Sequence, residues 1–226
     1  MIEVPNLQRH PSDPNIWITH EHHHNGMPLM WQHAPFVYNY LNRIDQTIQT
    51  ALTDHASVMA VRVDLRFPGY FDGKTQPFNR HVFSRFIDSL RARIKTRQKR
   101  SEREGKRFHP TNVHYIWVRE FGEEGQPHYH CVLMFNKQTF LGLGNYASDD
   151  PGSLAGMIKE AWASALGLNS HLTHGLVHFA RNGTYWVKRS ERYDALFERA
   201  SYCAKVSTKG FGLATHSFGA STVRYG

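Results

Sequence analysis

The run NVHYIWVREFGEEGQPHYHCVLMF, residues 112–135, decides how this chain folds. Two stretches rich in β-branched and aromatic residues, Asn112–Phe121 and His128–Phe135, flank Gly122-Glu-Glu-Gly-Gln-Pro127. Such stretches favour a pleated surface and the Gly/Pro segment punctuates them, so the run predicts a hairpin. Residues two apart on a strand share a face, which sets His128 beside His130. Partners in an antiparallel pair keep a constant index sum: Glu120 meets His128 at 248 or His130 at 250. Either even register brings the carboxylate onto the imidazole face, whereas an odd one without a bulge would put it on the opposite face. Two neutral imidazoles and one carboxylate leave a divalent ion with net charge near +1 and open positions, as polarising a phosphate oxygen requires. In the plainer reading, Glu120 pairs with Arg119 or Lys137 on the surface.

Outward from the hairpin, Ser57–Phe67 alternates, Val61, Val63 and Leu65 facing one way and Arg62, Asp64 and Arg66 the other, until Pro68-Gly69 stops it. Amphipathic helices are expected over 36–54, 77–103 and 152–166, the last ended by Gly167. Leu176–Ala180 and Thr184–Val187 read as short strands, and 191–206 as a final helix. Residues 1–33 show no sustained period and read as an N-terminal arm, with 34–226 as a single domain. A hairpin as the only adjacent pair of long strands argues for an α+β fold, an antiparallel sheet flanked by helices.

That final helix gathers Tyr193, Leu196, Phe197, Ala200, Cys203 and Ala204 into an apolar stripe. Glu198, Tyr202, Lys205 and Lys209 fall on the other side, so the core stripe does not need Tyr202. An ordinary phenol, with a pKa of about 10, is a poor nucleophile, and an ammonium one turn away favours its phenolate. Tyr185 and Lys188 repeat the spacing, but on a strand residues three apart face opposite ways.

The net charge of +8 is concentrated: Arg91–Arg107 holds nine Lys/Arg against two Glu, a local +7. Such a block, with Arg97, Lys99 and Arg100 at its centre, attracts a polyanion or is simply a solvated helix face. No window has the roughly 18–20 apolar residues of a membrane helix, and the N-terminus lacks a secretion signal. Cys131 and Cys203 read as reduced thiols of a cytoplasmic protein. Gly69–Thr75 falls one residue short of a phosphate-binding loop, and the His20, His22, His23, His24 cluster lacks a carboxylate framework.

Together, REFGEEGQPHYHCVLMF and, some seventy residues on, SYCAKVSTK resemble the HUH endonucleases: replication initiators, relaxases and single-tyrosine transposases. His128-x-His130 resembles their metal motif, Glu120 the third ligand of rolling-circle initiators, and Tyr202-x-x-Lys205 the nucleophile motif. RVDLRFP, HYHCVLMFN, IKEAWASALG and SYCAKVSTK most resemble the inovirus-type initiators of filamentous phages and prophages, over roughly residues 36–226. The first of these matches the family's usual opening motif only loosely. The resemblance implies an RRM-like antiparallel sheet with Mg²⁺ or Mn²⁺ on its open face, held by Glu120, His128 and His130. Tyr202 would attack a DNA phosphate, leaving a 5′-phosphotyrosine link and a free 3′-hydroxyl that primes replication. Lys205 would steady the phenolate. Arg62, Arg66 and Lys209 would contact the backbone, and the Arg97, Lys99 and Arg100 block would contact the origin duplex or displaced strand. No helicase domain is recognised, so unwinding would fall to a host helicase. A transposase using the same residues, a prophage DNA-binding protein that kept only the fold, and a zinc hydrolase remain as alternatives; the last leaves Tyr202-x-x-Lys205 unused.

Overall fold

A computed structural model describes residues 6–70, 81–122, 126–146, 150–169, 173–207 and 217–221. Its chain order is β1 (Leu7–His10), β2 (Asp13–Thr19), β3 (His23–His24), β4 (Met27–Pro28), β5 (Phe36–Val37), α1 (Tyr38–Asp54), β6 (Ser57–Arg66) and α2 (Val82–Arg103). There follow β7 (His114–Phe121), β8 (Pro127–Asn136), α3 (Leu154–Leu166), β9 (Val177–Lys188), α4 (Asp194–Ser201) and β10 (Phe218–Ala220).

The expected hairpin is β7–β8, with Glu120 opposite His128, the first of the two even registers. It lies inside a five-stranded antiparallel sheet ordered β10-β7-β8-β6-β9. The succession β6-α2-β7-β8-α3-β9 is a β-α-β-β-α-β unit with β6 and β8 at its centre, compatible with an RRM-like fold. The two short strands expected at 176–187 are one strand, β9, whose pairing with β6 shifts between Val61 and Val63. Asn182, at φ +53°, turns the extra residues out of the ladder.

Strand alternation divides the core in two. Odd-numbered residues of β6 and β8 (Met59, Val61, Val63, Leu65, Tyr129, Cys131, Leu133, Phe135) pack with α2 and α3. Trp162 of α3 is fully buried there, and its indole N–H reaches the Arg66 carbonyl at 2.7 Å. Ser153 caps α3 by accepting from the Gly156 N–H, and Gly167 ends it at φ +70°, where a Cβ would be strained.

The other face changes character along its length. Val58, Ala60, Ile116, Val118, Val132 and Met134 are buried under α1 and α4. Past them the same face carries Arg62, Asp64, Arg66, Glu120, His128 and His130. Helices thus cover the apolar half of a face expected to be open and stop at its polar half.

Residues 7–33, read as an arm, are built into this covering. β1–β2–β5 form a small antiparallel sheet, and Met27 and Leu29 are buried with α1 and α4. Four short strands and a 3₁₀ turn (Trp31–His33) leave no room for the sustained period that sequence reading needs. The described helices include none long and apolar enough to cross a membrane.

Candidate active site

Glu120, His128 and His130 each offer a donor atom, all within 4.8 Å of one another, the one such group among the described residues. Glu120 Oε2 lies 3.3 Å from His130 Nε2 and 3.9 Å from His128 Nε2. Two ligands bound at about 2.0–2.2 Å can share an ion only if they lie within about 4.4 Å of each other, so both separations fit.

The tautomer of His130 follows from its neighbours. Its Nδ1 lies 2.6 Å from Asp64 Oδ1, directly across the β6–β8 ladder. Arg62 approaches the same nitrogen at 3.1 Å, but a guanidinium only donates, so the carboxylate takes the Nδ1 proton. Nε2 is then left facing the Glu120 oxygen. That contact is favourable only if Nε2 carries a second proton or if a cation lies between the two lone pairs. Burial lowers the His130 pKa, but the bonds to Asp64 and Glu120 outweigh it and raise it, as the protonated alternative requires. This donor set fits a metal ion, with Asp64 as the outer carboxylate that orients a ligating imidazole.

The second element approaches from α4. The helix expected over 191–206 ends at Ser201 and tightens into a 3₁₀ turn, Tyr202–Ala204, with Lys205 extended beyond it. In a 3₁₀ turn, residues three apart eclipse, so Lys205 folds back over the phenol. Its Nζ donates to the Tyr202 hydroxyl at 2.6 Å, and that hydroxyl donates to Glu120 Oε2 at 3.2 Å. Lys205 Nζ also pairs with Glu120 Oε1 at 3.1 Å. The side opposite the apolar stripe is therefore turned inward at its end: Lys205 is 6% exposed and Tyr202 half-buried. The apolar stripe identified the residues that pack, but a stripe cannot tell solvent from a buried polar site.

Charges here compete. Burial pushes the Glu120 carboxyl up, but His130 and Lys205 bring it down to about 2. Burial also raises the Tyr202 phenol; Lys205 and Arg62 pull it down, Glu120 opposes them, and the phenol ends above its ordinary value. The ammonium favours the phenolate, as expected, but burial, with the Glu120 charge added to it, outweighs the ammonium.

This geometry overturns the plainer reading of Glu120, which is 3% exposed and bound to Lys205, whereas Arg119 bonds Tyr129 on the opposite face. The chain matches, over residues 19–221, the family described as the YagK/YfjJ C-terminal domain. It is 35% identical over 201 residues to the uncharacterized protein YagK of Escherichia coli strain K12, spanning 84% of this chain and 96% of that one. It is 32% identical over 194 residues to the uncharacterized protein YfjJ of the same strain, spanning 80% and 93%. The chain belongs to the YagK/YfjJ C-terminal domain family. No solved structure matches it.

Of the other residues singled out in the sequence, Arg62 joins the site, its guanidinium 4.5 Å from the Tyr202 ring centroid and 3.4 Å from Asp64. Arg66, exposed, edges a cleft of about 420 Å³ that runs past Asp64, Gln126, His128 and His130. Lys209 lies outside the described residues. Arg97, Lys99 and Arg100 do not reach the site: α2 packs on the opposite face of the sheet. Part of their block is engaged internally, Arg93 with Glu160, Arg97 over the Phe140 ring, and Arg100 with Glu104. His22 stacks on Trp31, and His24 bonds Asn42 and stacks on Phe197, so these two members of the histidine cluster pack rather than ligate. Cys131 and Cys203 are buried and are not joined in a disulfide.

Two participants escaped the sequence. Asp64 had a signal, since it shares a face with Arg62 and Arg66 on the strand that turned out to neighbour His130. His33 had none, yet its ring meets the Tyr202 ring edge-on at 4.9 Å.

Proposed function

We propose that this chain is a metal-dependent endonuclease and strand transferase for single-stranded DNA, of the HUH type, with Tyr202 as its nucleophile. The observation that carries the reading is the hydroxyl of Tyr202, 3.2 Å from the carboxylate of the candidate metal set and 2.6 Å from Lys205. Residues 82 positions apart in the chain converge there, at the polar end of an otherwise apolar sheet face. A water-using hydrolase has no use for a buried Tyr–Lys pair at this point.

In this reading the Tyr202 oxygen attacks a phosphate of the strand. The Tyr202 O–P bond forms and the P–O3′ bond breaks; the phenol proton leaves to solvent and the 3′-oxygen takes one up. The 5′ end stays on the tyrosine, so the phosphodiester energy is conserved and rejoining needs no ATP. Lys205 orients the phenol oxygen and meets the negative charge that grows on it. Arg62 steadies the ring from above, Asp64 holds His130 in the ligating tautomer, and Arg66 at the cleft edge meets the backbone. A Mg²⁺ or Mn²⁺ ion held by Glu120, His128 and His130 would polarise a phosphate oxygen and offset the Glu120 charge that, after burial, helps keep the phenol protonated. The biological setting we favour is initiation of rolling-circle replication of a phage or prophage, with an origin duplex and a host helicase as partners.

The test incubates the protein with Mn²⁺ and labelled single-stranded oligonucleotides drawn from the origin region. A protein–DNA adduct that resists denaturant is expected, lost in Tyr202→Phe and on chelation. An adduct that survives Tyr202→Phe, or none on any oligonucleotide, removes the nucleophile assignment.

A further inference from the structure

The nucleophile segment is clamped along its length by residues 30–36. The Met30 N–H donates to Ser201 Oγ at 3.0 Å, just before Tyr202. Beyond it, the Val206 N–H donates to the Pro35 carbonyl at 2.9 Å, and Phe36 forms a β-bridge with Lys205. Between these anchors runs the 3₁₀ turn Trp31–His33, closed by Ala34 N–H to the Trp31 carbonyl at 3.0 Å. Its last residue, His33, is the one whose ring abuts Tyr202. Its first residue, Trp31, is 54% exposed, an unusual place for an indole. The ring is not loose: His22 stacks on it at 5.5 Å between centroids and 18° between planes. A rise of about 2 Å per residue keeps Trp31 within one turn of the tyrosine's neighbour.

A braced, solvent-facing aromatic pair beside a phosphate-directed tyrosine matches what a single strand needs. Unstacked bases lose apolar contact with their neighbours, and an indole face restores it without regard to sequence. We infer that Trp31, braced by His22, is a stacking platform for a nucleobase of single-stranded DNA flanking the phosphate presented to Tyr202. The inference rests on the proposed nicking reading for the position of the strand, but base stacking can be measured without any chemistry.

The experiment uses the full chain carrying Tyr202→Phe, so that no covalent step occurs. Fluorescence anisotropy would measure binding of a fluorescein-labelled oligothymidylate and of an abasic strand of the same length. Added Trp31→Ala should weaken oligothymidylate binding roughly tenfold or more, as a stacked base worth about 1–3 kcal/mol implies. It should leave the weaker, phosphate-driven binding of the abasic strand unchanged. Trp31→Tyr, which keeps a ring, should recover most of the loss. Equal binding by Trp31→Ala and its parent, equal loss on both strands, or no binding by the parent overturns the platform. The adduct assay on the chain with Tyr202 intact separates the two readings. A base-dependent Trp31 effect without any adduct keeps the platform and removes the nickase; an adduct with no Trp31 effect does the reverse.

Discussion

The two faces of the five-stranded sheet are built from the same strands by the same alternation, yet they differ in what they are for. The face under α2 and α3 is apolar but for Arg119, which bonds Tyr129, and is closed by Trp162, Phe86 and Phe135. The face under α1 and α4 is apolar for half its length and then turns to Glu120, His128, His130, Asp64 and Arg62. Burying that polar half required a lysine against a carboxylate and a carboxylate against an imidazole. Such pairs roughly break even against an apolar core, so stability does not account for them. A site that recruits residues from β6, β7, β8 and the segment after α4 at no gain in stability is the signature of function.

The contrast should appear most strongly in stability. Trp162→Ala empties the core under α2 and α3 and removes the bond to the Arg66 carbonyl, at a cost of about 3–5 kcal/mol. In a chain of this size that lowers the melting temperature by roughly 10 °C. His128→Ala, a half-buried residue of the polar end, should cost under about 1 kcal/mol. Calorimetry of both variants in chelator decides. Equal losses would make the polar end structural and end the comparison.

Metal response should reverse the order. An ion binding only the folded state at a hundred times its Kd adds about 2.7 kcal/mol, or roughly 5–10 °C. Mn²⁺ should shift the parent and Trp162→Ala alike and leave His128→Ala unmoved. A shift that persists in His128→Ala would place the ion elsewhere.

How much of this was legible in the sequence follows the same division. Alternation in Ser57–Phe67 and the turn at 122–127 marked both central strands, and an even index sum put Glu120 on the face of both histidines, because those rules are local; which even register forms was left to the structure. The 3₁₀ turn at Tyr202 and the burial of Lys205 were not legible, since a helical period reports which side packs and not what polar site lies beneath the other. Asp64 needed the β6–β8 register, which joins strands separated by α2 and β7. His33 needed the clamp between residues 30–36 and 201–206, a contact with no periodicity at all. The charge of Arg91–Arg107 was plain, but the side of the sheet it occupies was not.

Asp64→Asn sharpens the comparison within the polar half. It keeps the shape and removes the charge that fixes His130 Nδ1–H, so Mn²⁺ affinity should fall about 10–100-fold by titration calorimetry. Unchanged affinity would mean that Asp64 serves only Arg62.

The smallest effect is an acid limb that comes mostly from histidines away from the polar end. Burial lowers the pKa of His24, His55 and His114, in the last case against the pull of Asp54 at 2.8 Å. In the unfolded chain each takes a proton near pH 6.5, whereas in the fold each stays neutral to lower pH. The unfolded state therefore binds more protons as pH falls below about 6.5, and stability declines from there through the depressed folded values. His130, with its pKa raised, has the opposite sign: its contribution is complete below about 6.5 and fades as pH rises through its folded value. Burial lowers His33 and His128 likewise, and five histidines against one should make the metal-free protein melt progressively lower between pH 7 and 5. His114→Gln should partly flatten that limb, because one of the five protons is no longer withheld. A melting temperature that holds level to pH 5, or falls equally steeply in His114→Gln, would show that buried neutral histidines do not set the acid stability of this fold.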